Sequence, residues 1–414
     1  MVLILGSGLA VAARCKALGM NCLIVDRCDE VGDIWKKRYE YLSLHFPHWP
    51  DDLPYFSYPK HWPTYTPAQK QGKYMEWYAS ALELNIWTKS SVVKADQDQD
   101  GKWTIQINKG GKETRTLHPQ QIVMATSLCG VPLTPIIPGM GEFKGGVIRH
   151  STAHDSSAEF IGKKVCVVGS SSSGFDTAFD CSRRGIDVTL LQRSPTYVMS
   201  LTHSVPRILG GYKPDADGNR PDLEEQDRLF FATPTGPGEE LGRRNAKVLE
   251  DLDRPLIDAL NARGLRTWRG QRGTGNATLG QTRNGGFYFD AGACEHIIDG
   301  KIKVEPGYVE SFTEDSVMLN GGRERKFDLV VFATGFSNTI DSVRATFGDK
   351  IASQCNPIWG IDEEGEPKTA FRETGIPNFW IMVGFLPLTR YNSRILALRL
   401  KALKEGISPA PYKK

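Results

Sequence analysis

The stretch KKVCVVGSSSSGFDTAFDCSRRGIDVTLLQRS, Lys163 to Ser194, leaves the chain little freedom. Lys164 to Val168 is a short valine-rich run, the mark of a strand buried in a parallel sheet. Gly169 to Gly174 is a turn. Phe175, Ala178 and Phe179 follow at helical spacing, and Gly185 stands where a glycine ends a helix. Asp187 to Leu191 is a second strand. The unit is therefore β-α-β, the building block of a parallel α/β sheet. Gly169 and Gly174 hold the first and third places of GxGxxG. Ser171 takes the second, among Ser170, Ser172 and Ser173. Such a turn can rest a pyrophosphate on a helix N-terminus. Gln192 comes 23 residues after Gly169, a dinucleotide spacing. An acid at that point would bind a free ribose 2′-hydroxyl. Arg193 and Ser194 stand there instead and favour a 2′-phosphate, NADP over NAD. An ordinary crossover with a surface arginine shares the pattern, because one glycine motif alone is weak.

A second unit lies at the start, VLILGSGLAVAARCKALGMNCLIVD. Gly6, Ser7 and Gly8 open a phosphate loop, and alanines at 10, 12, 13 and 17 suit a helix packed closely on a sheet. Asp26 stands where a ribose-binding acid belongs, followed by Arg27. Asp26 comes 20 residues after Gly6, three fewer than in the central unit, and position six of the motif is Val11.

The 414 residues allow two or three domains, and 40% apolar with 24% charged residues is ordinary for a globular chain. A net charge of +3 makes no case for nucleic acid. No run approaches the ~20 apolar residues of a membrane helix. The eight cysteines form no CxxC pair and no metal-ligand spacing, so a reduced, cytoplasmic protein without a metal is expected.

Residues 35–87 hold 14 of the 40 aromatics, interleaved with prolines. They read either as a wall around a flat cofactor or as packing beneath other loops. Tyr74 to Leu84 has helical spacing. Trp103 to Ile107 alternates and pairs with Thr114 to Leu117 across Gly110-Gly111. Gln121 to Thr126 is a buried strand, and Phe327 to Gly335 (FDLVVFATG) echoes it. Each ends in Ala-Thr after a meander, at Thr126 and at Thr334-Gly335. Residues 222–263 are mainly helical, 269–286 read as a loop, and Tyr391 to Lys404 is a helix.

With these pieces in place the chain resembles flavin-dependent monooxygenases with two dinucleotide domains, a microbial branch related to the YUCCA-type indole-pyruvate monooxygenases. The likeness runs over nearly the whole chain. It is carried by Gly6-Ser7-Gly8, Gly32-Asp33-Ile34-Trp35 with Arg38-Tyr39, Leu44-His45-Phe46-Pro47, Pro63-Thr64-Tyr65, Phe143-Lys144-Gly145-Gly146 with His150-Ser151, Arg193 to Tyr197, and Ala333 to Phe336. The resemblance implies an α/β fold of two Rossmann-like domains, the NADP domain inserted into the FAD domain. Expected limits are 1–155 for the first FAD part, 156–300 for the NADP part with a helical insertion, and 301–414 for the second FAD part. It implies FAD on the first turn and NADPH on the second, with Trp35, Arg38, His45 and Thr126 among the cofactor contacts. It implies that NADPH reduces the flavin and that O2 then oxygenates a small organic substrate through a peroxyflavin. No catalytic side chain can be named, since the flavin carries the chemistry. Two other readings stay open. One is a non-catalytic relative with impaired FAD binding, suggested by the short first loop and by Ser127 in place of the exit glycine. The other is a flavin disulfide reductase, disfavoured by the missing CxxC.

Overall fold

The computed structural model describes residues 1–126, 130–282 and 285–409. β1 (Val2–Leu5) turns through Gly6 into α1 (Leu9–Ala17) and returns as β2 (Cys22–Val25). Then come α2 (Asp33–Lys36), α3 (Ala68–Ala81) and β3 (Ile86–Trp87). An antiparallel meander of β4 (Ser90–Gln97), β5 (Trp103–Lys109) and β6 (Glu113–Leu117) leads to β7 (Gln121–Met124).

The central unit follows: β8 (Val147–His150), β9 (Lys164–Val168), α4 (Ser172–Arg183) and β10 (Asp187–Gln192). β11 (Tyr197–Met199) opens a helical excursion through α5 (Ser204–Leu209), α6 (Leu223–Phe231), α7 (Thr235–Leu252), α8 (Arg254–Ala262) and α9 (Asn276–Thr282). It closes on β12 (Phe287–Phe289), which pairs with β11. After α10 (Ala293–Ile298) and β13 (Ile302–Pro306) comes a second meander of β14 (Val309–Phe312), β15 (Val317–Leu319) and β16 (Arg323–Arg325). β17 (Leu329–Phe332) follows. The last elements are α11 (Thr339–Phe347), α12 (Asp349–Ala352), β18 (Phe379–Ile381) and α13 (Leu386–Glu405).

Two five-stranded parallel sheets result, in the orders β18-β7-β1-β2-β3 and β13-β10-β9-β17-β8. Their central strands are apolar throughout because both faces are covered. In β1 (VLIL) and β17 (LVVF) every residue is buried. The first sheet is covered by α1, α3 and α13 on one face and by its meander with α11 and α12 on the other. The second carries α4 and α10 on one face and β14 to β16 on the other. The chain leaves the first sheet after β7 and rejoins it at β18, so the second unit is inserted, as expected.

Several details differ from the sequence expectation. The second sheet runs past the expected limits: β8 precedes residue 156, while β13 and β17 follow residue 300. Which sheet a short apolar strand joins is a matter of pairing, which its own composition does not encode. α3 begins at Ala68, α4 at Ser172 and α13 at Leu386, each earlier than the apolar spacing suggested. Residues 269–286, read as a loop, contain α9. β4 carries no period-two signal in the sequence, because seven of its eight residues are partly or fully exposed and the alternation breaks at Val93 and Lys94. The first exit turn, at Ser127, lies outside the described residues.

An ionic knot ties the C-terminal helix to the excursion. Arg390 on α13 is bidentate to Asp227 on α6, at 2.8 and 2.6 Å, and its remaining nitrogen donates to the carbonyls of Pro50 and Asp52. Arg220 pairs with Asp52 at 2.6 Å. Neighbouring Asp51 is fully buried, and neither carboxyl oxygen has a hydrogen-bond partner among the described residues. Burial holds its carboxyl well above the usual carboxylate range, against the pull of Arg390. A group whose folded pKa is raised loses its stabilising contribution as pH rises through that pKa. Asp51→Asn is therefore expected to raise Tm at pH 8, the gain vanishing as pH falls toward the ordinary aspartate value. A lower Tm at pH 8 would mean that the native carboxylate is ionised and paired.

Candidate functional site: two dinucleotide crevices

In an open parallel sheet a ligand binds where the strand order reverses, beyond the carboxyl ends of the strands. That point lies between β1 and β7 in one sheet and between β9 and β17 in the other. The glycine turns stand at both. A Cβ on Gly6 would meet the Ala125 carbonyl oxygen at 2.7 Å, and one on Gly169 would meet that of Ala333 at 2.5 Å. Each turn thus backs directly onto its neighbour's Ala-Thr exit, and φ is +86° at Gly6 and +115° at Gly169, where side chains are strained.

The second turn is open for an anion. Ser171 is the N-cap of α4, yet its hydroxyl makes no cap and donates to the Phe287 carbonyl instead. Gly174 and Phe175 N–H bond back to the Ser171 carbonyl, at 2.9 and 3.0 Å. The N–H groups of Ser172 and Ser173 come before any helical acceptor and are left for a ligand. Ser170 is held by Thr196, whose hydroxyl donates to the Ser170 carbonyl at 2.6 Å and lies 2.9 Å from its hydroxyl. At the end of β10, Arg193 and Ser194 are exposed, and no carboxylate pairs with Arg193 among the described residues. Arg266 stands beside them, donating to the carbonyls of Gln192 and Arg193 at 3.2 and 2.7 Å. It is locked by reciprocal bonds with the Gln192 amide. Sequence reading missed this second guanidinium, because 73 residues of excursion separate it from Arg193.

The first turn is tighter. Gly8 N–H bonds to the Gly6 carbonyl at 2.8 Å and Leu9 N–H to that of Ser7 at 2.9 Å, so the loop consumes two of its own donors. α1 has no side-chain cap, and its first turn, Leu9, Ala10 and Val11, is buried. A buried helix end with no cap calls for a partner, and the N–H groups of Ala10 and Val11 remain to meet one. Asp26 closes the crevice: it accepts from Ser7 Oγ at 3.3 Å and from Cys28 N at 2.9 Å, while Arg27 is exposed. Both turns fit a dinucleotide phosphate, each with two helix N–H groups left to meet it.

The exits are cross-braced. Thr126 backs Gly6, and Thr334 Oγ1 donates to the Leu133 carbonyl. His150 receives Thr152 N–H at Nδ1 and meets the Gly335 carbonyl with Nε2 at 3.0 Å. Burial lowers its pKa, so it is a neutral brace and no proton donor.

Most of the aromatic segment packs on itself. Tyr58 stacks on Trp62 at 4.9 Å, and Phe56, Tyr74 and Tyr78 fill the core against α1 and α13. Trp35 is partly buried in the same core. Arg38 lies over the Tyr39 ring at 5.4 Å, and His45 turns to Asp176 on α4 rather than standing free for a cofactor. Phe46 and Trp49 pack against the excursion.

Other chemistries find little support among the described residues. Burial raises the cysteine thiols, Cys15 and Cys28 to about 12 and Cys181 and Cys355 to about 11, which makes poor nucleophiles. Among the described residues no group of His, Cys, Asp and Glu is arranged to hold a metal ion, and no helix is long and apolar enough to cross a membrane.

The family described as pyridine nucleotide-disulphide oxidoreductase matches residues 5–208. Indole-3-pyruvate monooxygenase YUCCA1 of Oryza sativa subsp. japonica is 30% identical over 351 residues, 83% of this chain and 77% of that protein. Among solved structures, a flavin-containing monooxygenase from Stenotrophomonas maltophilia superposes with a TM-score of 0.62 at 15% identity, covering 97% of this chain and 98% of that one. The OTEMO complex with FAD and NADP gives 0.66 at 17% identity, covering 98% and 85%. At such identities the structural likeness speaks to the fold.

Proposed function

Because this chain belongs to the flavin-dependent monooxygenases, we propose that it binds FAD at the Gly6 turn and NADPH at the Gly169 turn, and places one atom of O2 in a small organic substrate. The observation that carries this reading is the pair of uncapped helix N-termini, each at the switch point of its own parallel sheet. When bound, the flavin would supply the electron transfer from NADPH and the activation of O2. The protein's part is to bind, orient and exclude water. Ser172 and Ser173 would hold the NADPH pyrophosphate through their N–H groups, and Arg193 with Arg266 the 2′-phosphate. Asp26 would take the FAD ribose, and Ala10 and Val11 its pyrophosphate. The division that goes with this reading is 1–146 and 337–414 for the FAD unit and 147–336 for the NADPH unit. Among substrates, a 2-oxo acid leads, by analogy with the relative that acts on indole-3-pyruvate.

The test is NADPH oxidation and O2 uptake by FAD-reconstituted protein against a panel of 2-oxo acids, ketones, amines and thioethers, with hydrogen peroxide measured alongside. Oxygenated product from one class supports the reading; NADPH oxidation that yields peroxide alone with every class would sink it. A second reading, a relative with impaired flavin binding, is favoured by the Gly8 and Leu9 donors turned into their own loop. Flavin content after purification separates the two.

The cofactor choice has its own prediction. Arg193→Ala and Arg266→Ala are each expected to lower the NADPH-over-NADH preference about 10-fold, since a charge-assisted bond contributes about 1.5–3 kcal/mol. kcat/KM for both cofactors reads this out. Equal use of the two by the unmodified protein would overturn it.

A further inference from the structure

One buried polar cluster joins the segment after α2 to α4 and serves neither turn. Tyr39 and His45 come from the segment after α2, in the first unit. Asp176 is the fifth residue of α4, in the second. Tyr39 Oη donates to Asp176 Oδ2 at 2.6 Å. His45 Nε2 lies 3.0 Å from that oxygen and 2.9 Å from Oδ1. The His45 and Asp176 side chains are 13% and 9% exposed. Their surroundings are aromatic: the His45 ring stands edge-on to Tyr288 at 5.7 Å, and Tyr288 stacks on Phe175 at 4.2 Å. A carboxylate in such a place is costly unless a counter-charge meets it. Here both partners of the Asp176 carboxylate belong to the other unit, so the cluster is complete only when the units are seated together.

We propose that His45, Asp176 and Tyr39 form an ionic pin that seats the first unit on α4, and so fixes the spacing of the two crevices for electron transfer from NADPH to flavin. They are positioning residues, and the electron-transfer part rests on the function proposed above. Burial opposes a charge on His45, but the field and hydrogen bond of Asp176 outweigh it, and Asp290 adds to them. Its pKa lies above the ordinary histidine value. The other titratable groups facing the cluster are the Tyr41 and Tyr288 phenols, pushed up by burial as that of Tyr39 is, and Arg38 over the Tyr39 ring. A histidine raised in this way contributes stability that is full at low pH and lost as pH rises through its folded value.

The test begins without cofactor. At pH 6, His45→Gln and Asp176→Asn should each raise the unfolding constant about 10-fold, and the double variant little further, as coupled neighbours do. The gap to the unmodified protein should narrow as pH rises above the ordinary histidine range. Additive effects, or a gap independent of pH, would overturn the pin. In protein loaded with FAD, rapid mixing with saturating NADPH should show flavin reduction slowed at least about 10-fold in both single variants, with the Kd for NADPH within about 2-fold. An unchanged reduction rate would overturn the positioning role. Tyr39→Phe keeps the ring and removes one hydrogen bond. It should give a smaller loss in both measurements, and guards against variants that fail to fold. If NADPH reduces no flavin even in the unmodified protein, the functional reading falls while the coupling still decides the pin.

Discussion

A Gln-Ala-Gly tripeptide inserted between Gly8 and Leu9 is expected to tighten FAD binding by about one to four orders of magnitude. From glycine to ribose position the first unit is three residues shorter than the second, and the structure puts the difference in the helix: each helix starts three residues after its glycine, but α1 has nine residues and α4 twelve. The first unit's turn bonds Gly8 N–H to the Gly6 carbonyl and Leu9 N–H to that of Ser7, so two donors that could face a pyrophosphate face the loop. Three residues are nearly one turn of ~3.6, so the insertion keeps the buried face of α1 on the sheet while adding the helical turn that α1 lacks beside α4. Each recovered charge-assisted bond contributes about 1.5–3 kcal/mol, and one or two of them give the stated range. The measurement is FAD affinity of both proteins, by fluorescence quenching or calorimetry. Protein that already purifies with stoichiometric FAD surviving dialysis would refute the prediction and make the short first unit a working variant.

Arg390→Ala is expected to destabilise the fold by about 3–5 kcal/mol, the usual loss when one member of a buried pair is removed. Arg390 and Asp227 are 4% and 3% exposed, and Arg390 also satisfies two backbone carbonyls in the loop at Pro50 to Asp52. Truncation leaves the Asp227 carboxylate without its counter-charge, held only by the Tyr212 hydroxyl at 3.0 Å, and removes the side-chain donor from two carbonyls. Replacing both charges, Arg390→Met with Asp227→Leu, should recover much of the loss, because the desolvation penalty goes with the pair. Urea midpoints at constant m-value measure both. A loss below about 1 kcal/mol for the single variant would place the pair with surface ion pairs. The position matters for function because this knot ties the α6 excursion of the second unit to the last helix of the first.

The two β-α-β units, their parallel sheets, the meanders and the Ala-Thr exits were legible in the chain. Each is written in local periodicity: a buried strand must be apolar throughout, a glycine must stand where the backbone turns with positive φ, and a meander strand must alternate. The place of Arg193 at the end of β10 was legible too, because its distance from Gly169 is set by the length of one helix and one strand. What sequence could not supply were relations across the fold. Arg266 reaches the end of β10 only after the excursion returns. The aromatic segment allowed two readings, and only packing decided that Tyr58, Trp62, Tyr74 and Tyr78 pack in the core. His45 reads as a cofactor contact by motif but finds Asp176, 131 residues away. Periodicity records which face of an element is buried; it carries no record of what that face is buried against. That is decided when the units close, where the large cost of burying an unpaired charge selects the partner.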